Sequence, residues 1–279
     1  MFALLGWLLV GALLGNVIVL LLTLLVGSEM AAEYSMLISY PVMFIPPLMY
    51  ARTKSMMAPI DMTGVALDSN HFGPLGIWAC CAMVMIATIA GGFMTDLCTA
   101  LLPQMPAWLE EALGNMTQGN IVMDFICVSV FAPLCEEWLC RGMVLRGLLN
   151  YQKPDGTKGM APKWAIIISA AFFAFIHLNP WQAIPAFIIG CLLGYVYYRT
   201  GSLKLTMLMH FTNNTFAIIM SRVPQLEDMQ TWLDVFSPLQ YGVIFAACAL
   251  IIVLTVRAFN RIPLSRPQGN CDELTDIIL

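Results

Sequence analysis

The chain has 279 residues, 59% of them hydrophobic and 11% charged, with a formal net charge of −4. That balance describes a polytopic membrane protein and excludes an ordinary soluble domain. No basic run or aromatic–basic interleaving points to nucleic acid, and the nine cysteines include no C-x-x-C pair, so they read as small hydrophobes rather than a disulfide or metal framework.

The first apolar run continues to Val26 without a positively charged flank. It is too long for a signal-peptide core and reads as an uncleaved first transmembrane helix. Apolar runs of spanning length, or close to it, follow the chain at roughly 2–26, 36–51, 76–102, 120–148, 164–178, 181–199, 204–221 and 239–258. The expected fold is therefore all-α, a polytopic membrane helical bundle with about eight transmembrane helices. No internal repeat is evident. Three segments of one membrane domain are distinguished: 1–119 with spans one to three, 120–222 with the polar-bearing spans, and 223–279 with the last span and a polar tail. Within the first segment, residues 103–119 carry Pro103, Pro106, Trp108, Leu109 and Leu113 beside Glu110 and Glu111, the composition of a short interfacial helix.

An even number of spans puts both termini on one side. Of the 13 Lys and Arg residues, all but Arg222 then fall on that same side, which orients the N- and C-termini toward the cytoplasm. The opposite loops carry the acids Glu29, Glu33, Asp96, Glu110, Glu111, Glu227, Asp228 and Asp234.

Against this apolar background, residues 131–146 stand out: Phe-Ala-Pro-Leu-Cys-Glu-Glu-Trp-Leu-Cys-Arg-Gly-Met-Val-Leu-Arg. A charge at mid-membrane costs on the order of 2.5–3.5 kcal/mol, and Glu136, Glu137 and Arg141 fall within six residues. Glu137 and Arg141 are i,i+4 neighbours that can pair, whereas Glu136 points about 100° away. The spacing suggests one carboxylate held by Arg141 and one left free for chemistry.

Two of the three histidines also fall in spans. His177 ends the fifth span on the face of Phe173, and His210 shares a face of the seventh with Asn214. Counted from the cytoplasmic flank at ~1.5 Å per residue, Glu136 and Asn214 lie ~15 Å deep, His210 ~9 Å and His177 ~21 Å. Modest helix tilts bring these groups together in a hollow open to the cytoplasm. Asp124, nearer the outer side, reads as an interfacial acid, and Asn16 in the first span as a helix–helix hydrogen bonder.

A carboxylate, two imidazoles and a carboxamide in a dry cavity can hydrolyse an amide. Glu136 can take a proton from a water held by His177, and His210 and Asn214 can donate to the developing oxyanion. The same Glu136, His177 and His210 have the donor types zinc takes, so the residues alone leave a metal open. No Ser or Cys nucleophile with an adjacent base and no His-Glu-x-x-His is present.

In order, Glu136-Glu137-x-x-x-Arg141, Phe173-x-x-x-His177 and His210-x-x-x-Asn214 resemble the signature of the CAAX protease and bacteriocin-processing intramembrane peptidases, the family of the Ras-converting prenyl endopeptidase. The resemblance covers about 120–222. It implies an eight-helix fold and an endopeptidase active within the membrane. Glu136 is then the water-activating base with His177 assisting, His210 and Asn214 form the oxyanion site, and Glu137 with Arg141 supports them; Phe173, on the face of His177, can buttress its imidazole. It implies a glutamate mechanism with no cofactor in its newer reading and zinc in its older one. The partner is a peptide or protein substrate, prenylated in the eukaryotic precedent, and the setting is membrane lipid. Two other classes stay open: a non-catalytic relative acting as an immunity protein or membrane scaffold, and a proton-coupled transporter, for which no inverted repeat is seen.

Overall fold

A computed structural model describes residues 1–57, 65–115, 120–153, 156, 157, 159–226, 229 and 231–264. Among them nine helices follow one another: α1 Phe2–Val26, α2 Ser28–Met57, α3 Gly76–Ala100, α4 Ala107–Asn115, α5 from Ile121 to Leu149, α6 Pro162–Phe175, α7 Pro180–Thr200, α8 Leu203–Met220 and α9 Pro238–Phe259. This is an all-α bundle. Eight of these helices lie where spans are expected, and α4 occupies the middle of the expected interfacial segment. Residues 116–119, which close that segment and the first predicted boundary, lie outside the described residues, as do Glu227, Asp228 and the tail from 265.

The expected eight spans are not equal. Among the described residues, only α1, α3 with its leading turn, α7 and α9 are long and apolar enough to cross a membrane by length and composition. Polar residues and prolines lower α2, α5 and α8 below that mark, and α6 has only 14 residues.

α1 and α2 form a hairpin. Gly27, at φ 88°, ends α1 in a conformation that side chains disfavour. Gly11 and Gly15, spaced G-x-x-x-G, let the backbones meet. A Cβ on Gly11 would lie 2.0 Å from the Met43 carbonyl oxygen, and one on Gly15 would lie 3.0 Å from that of Ser39. Pro47 removes the N–H that would bind the Met43 carbonyl in a regular helix, so that carbonyl is free to face α1. Asn16, expected to bond between helices, is instead exposed, and its side chain makes no hydrogen bond among the described residues.

α5 runs through the centre, packed by α2, α6, α7 and α8. It is α-helical over Ile121–Asp124, Ala132–Glu137 and Arg146–Leu149 and π-helical over Phe125–Phe131 and Trp138–Leu145. The wider turns misalign carbonyls, and a neighbour satisfies one of them: Ser169 Oγ on α6 donates to the Cys140 carbonyl at 2.8 Å. One core cluster joins α1, α2, α5 and α6 around Leu8, Phe44, Leu139 and Phe173. A second joins α3, α7, α8 and α9 around Val84, Leu193, Met209 and Phe259.

The basic flanks gather at one pole. Asp68 accepts from the Leu203 backbone N–H at 2.8 Å and pairs with Lys204 Nζ at 2.9 Å, capping the start of α8. Arg146 Nε donates to the Val65 carbonyl at 2.8 Å. Arg199 donates to the carbonyls of Phe259 and Asn260 at 3.2 and 2.9 Å, a cation at the negative end of α9. At the other pole Arg222 Nη2 meets Asp124 Oδ2 at 2.8 Å. Asp124 is thus a buried, paired acid rather than a bare interfacial one.

Candidate active site

The site is built on the middle of α5. On this helix Arg141 Nη1 lies 2.6 Å from Glu137 Oε1, and both side chains are fully buried. The ion pair predicted from spacing is present. Burying two charges is costly unless they find further partners, and several are provided. Arg141 Nη2 donates to the Gly190 carbonyl at 3.1 Å, and its guanidinium lies over the Phe173 ring at 4.6 Å from the centroid. Gly190 packs closely on α6, where a Cβ would sit 3.2 Å from the Ala170 Cβ and 3.3 Å from Phe173.

His210 comes in from α8. Its Nδ1 lies 3.0 Å from Glu137 Oε1, and its Nε2 lies 3.9 Å from Glu136 Oε2. A carboxylate only accepts, so Nδ1 carries a proton. Glu136 differs from its neighbour in having no arginine. Its Oε1 accepts a hydrogen bond from the Tyr40 hydroxyl on α2, and its Oε2 is buried with no hydrogen-bond partner among the described residues.

His177 lies just beyond the end of α6, in the turn before α7, rather than within the span. The following Leu178 has φ 58°, and Asn179 caps α7 by accepting from the Gln182 N–H at 2.9 Å. His177 Nδ1 lies 2.8 Å from the Phe173 carbonyl. The carbonyl can only accept, so Nδ1 is the donor and Nε2 keeps its lone pair in the neutral ring. The two imidazoles flank Phe173 edge-on, His177 at 5.0 Å and His210 at 5.5 Å between centroids.

The predicted residues are therefore joined unevenly. Glu136, Glu137, Arg141, Phe173 and His210 form one connected cluster, with His177 reached through the Phe173 ring. Asn214 is not bonded to that cluster among the described residues. Its amide donates to the Val128 carbonyl of α5 at 2.8 Å and its oxygen accepts from Asn213 at 3.1 Å. One amide hydrogen remains uncommitted.

Residues 118–216 match the family model of the Rce1-like type II CAAX prenyl endopeptidases. This segment is similar to that family. It contains all three motifs on which the resemblance was drawn, and the family implies an intramembrane peptidase of the CAAX type acting on a peptide or protein. With four helices apolar enough to span, the protein is an integral membrane protein. No curated protein and no solved structure gives a match.

The older metal reading of the family can be tested on the donors. Among the described residues no three His, Cys, Asp or Glu side chains gather closely enough to hold a metal ion. Glu136, His177 and His210 do not form the compact set that zinc takes, and His210 Nδ1 is already turned to Glu137.

Tyr40 was not identified from the sequence. It precedes its partner by 96 positions and lies outside the Rce1-like segment. A tyrosine at mid-span, beside Pro41 and with a hydroxyl that needs a partner away from water, was the available signal.

Proposed function

We propose that the protein is an intramembrane endopeptidase that uses Glu136 as general base. The observation that carries this reading is the buried, unpartnered Oε2 of Glu136 beside His210. Glu137 Oε2 is also without a hydrogen-bond partner among the described residues, but Glu137 is neutralised by Arg141, whereas Glu136 keeps its charge beside His210 and can take a proton.

A water accepted at Glu136 Oε2 and donating its second proton to His177 Nε2 is held by two acceptors with its oxygen free to attack. Glu136 takes the proton as the water oxygen bonds to the substrate carbonyl carbon. The resulting oxyanion is met by His210 and Asn214. From Asn214 comes the uncommitted amide hydrogen, and from His210 an Nε2–H once the ring carries both protons. The tetrahedral carbon then expels the amine as the C–N bond breaks, and the proton passes from Glu136 to that amine. Glu137, fixed by Arg141, holds His210 by its other nitrogen. Phe173 keeps the imidazoles apart and upright. No step runs through a metal.

The family description supports a prenylated C-terminal tail as substrate. The gathering of Arg146, Arg199 and Lys204 at one pole supports a site opening toward a cytoplasmic face that carries both termini. The domain reading keeps 120–222 as the peptidase core, flanked by 1–119 and 223–279.

The test is cleavage of a farnesylated peptide by the purified protein in lipid vesicles. Wild type cleaves, at the same rate with and without a strong chelator. Glu136→Gln and His177→Ala lose ~10²–10⁴-fold, the range of general-base catalysis, with unchanged melting temperature. Asn214→Ala loses ~10²-fold or more in kcat. A folded Glu136→Gln that cleaves at the wild-type rate overturns the reading.

A further inference from the structure

The geometry points to Tyr40 as a positioning residue that fixes Glu136 so that one carboxylate oxygen, Oε2, is presented to the reacting water. This inference rests on the peptidase reading above. It adds to the Rce1-like segment a residue from α2, which lies wholly outside the match.

The terminal torsion of a glutamate is broad and roughly two-fold. An untethered Glu136 would exchange its oxygens and have no fixed orientation toward His210. The Tyr40 hydroxyl donates to Oε1, which removes that freedom and leaves Oε2 as the only open oxygen. The donor is itself anchored. The Tyr40 ring packs on Phe44 at 5.5 Å, and α2 is locked to α1 at Gly11 and Gly15.

The chemistry of the donor suits the task. Arginine or lysine would hold the carboxylate but also neutralise it, as Arg141 does for Glu137. A phenol orients by one neutral hydrogen bond and leaves the negative charge in place. Two adjacent glutamates are thus separated in role by the elements facing them. Glu137 is met by Arg141 and His210, and Glu136 is met by Tyr40 from α2 and, at 3.9 Å, by His210 from α8. Cys135 and Cys140 on α5 are the further titratable groups near enough to feel the Glu136 charge, and His177 faces the cluster across Phe173.

Tyr40→Phe removes the hydroxyl and keeps the ring. We expect kcat to fall ~10- to 100-fold, the scale of a misplaced catalytic group. KM stays within about twofold, since no substrate contact is lost. The acid limb of the kcat/KM profile moves to higher pH, because a donor to the charged carboxylate is gone. Incorporation of 3,5-difluorotyrosine at position 40, a stronger donor of similar size, moves that limb to lower pH. A purely structural tyrosine would change melting temperature and leave the limb where it is. Glu136→Gln is assayed beside these. If it remains active, the peptidase reading fails. If it is inactive while folded Tyr40→Phe matches wild type in rate and profile, only the Tyr40 inference falls. If Tyr40→Phe does not fold, the difluorotyrosine protein decides: an unmoved limb overturns the inference and a shift to lower pH supports it.

Discussion

Asp68 is the acid on which the basic pole is assembled. Burial pushes its carboxyl up, but the Lys204 ammonium and the N–H groups of Lys204 and Leu203 outweigh this, and the net effect holds it below the usual carboxylate range. A carboxyl lowered on folding adds stability that is complete above its unfolded value, about 3.9, and that is lost as pH falls through the lower folded value. Replacing Asp68 by Asn, which keeps an acceptor for the Leu203 N–H but removes the charge, should therefore cost about 0.3–1 kcal/mol near neutrality, the worth of an anion at a helix N-terminus, since the exposed Lys204 partner adds little. The gap to wild type should shrink on acidification below about pH 4. Unfolding of the detergent-solubilised pair at several pH values measures it, and a gap that does not change with pH defeats the assignment. Asp68 also shows what single residues do and do not disclose. Glu137 and Arg141 pair at a distance of one helical turn, so helical periodicity alone predicts them, and even the π-turns of Trp138–Leu145 do not break the contact. Asp68 and Lys204 are 136 positions apart, and Tyr40 and Glu136 are 96 apart. No local pattern encodes either contact, because both arise from which helices become neighbours.

At the scale of elements, α1 contributes no polar group to the site, yet it sets where α2 lies. Gly11 has no room for any side chain, since the Met43 carbonyl occupies the position of a Cβ at 2.0 Å. Gly6 on the same helix would meet nothing within 4 Å. Gly11→Leu should push the hairpin apart, lower the melting temperature and reduce peptidase activity together, because Tyr40 lies on α2 less than one turn from Met43. Gly6→Leu should leave both unchanged. Equal behaviour of the two variants would show that the hairpin contact does not position the site. The G-x-x-x-G spacing is visible in the sequence, but its partner is not: the motif names a close-packing face without naming the helix that meets it. The same limit applied to His177. Its place after a short apolar run was legible, and its position in the turn rather than the helix follows from Leu178 and the Asn179 cap, which stop α6 and start α7.

For the whole molecule, the division among the helices is the informative feature. Those apolar enough to span unaided, α1, α3, α7 and α9, supply no side chain to the proposed chemistry. The four that fall short, α2, α5, α6 and α8, carry Tyr40, then Glu136, Glu137 and Arg141, then Phe173 with His177 just past its end, then His210 and Asn214. Apolarity is lowest in the helices whose polar groups face one another. The two poles of the bundle differ in charge, and that difference makes its orientation testable. The charged flanks at Arg146, Arg199 and Lys204 gather at one pole with Asp68 and Val65, and Arg222 is held by Asp124 at the other. If the basic pole is cytoplasmic, a single cysteine placed at exposed Lys153 in a cysteine-free background reacts with an impermeant maleimide only after the membrane is opened. A cysteine at exposed Ser221 then reacts from outside in intact cells. The reverse pattern would invert the orientation and put the basic pole on the far side of the membrane from any cytoplasmic tail. Labelling of both positions from one side would break the bundle itself, because α8 could not then run from one pole to the other.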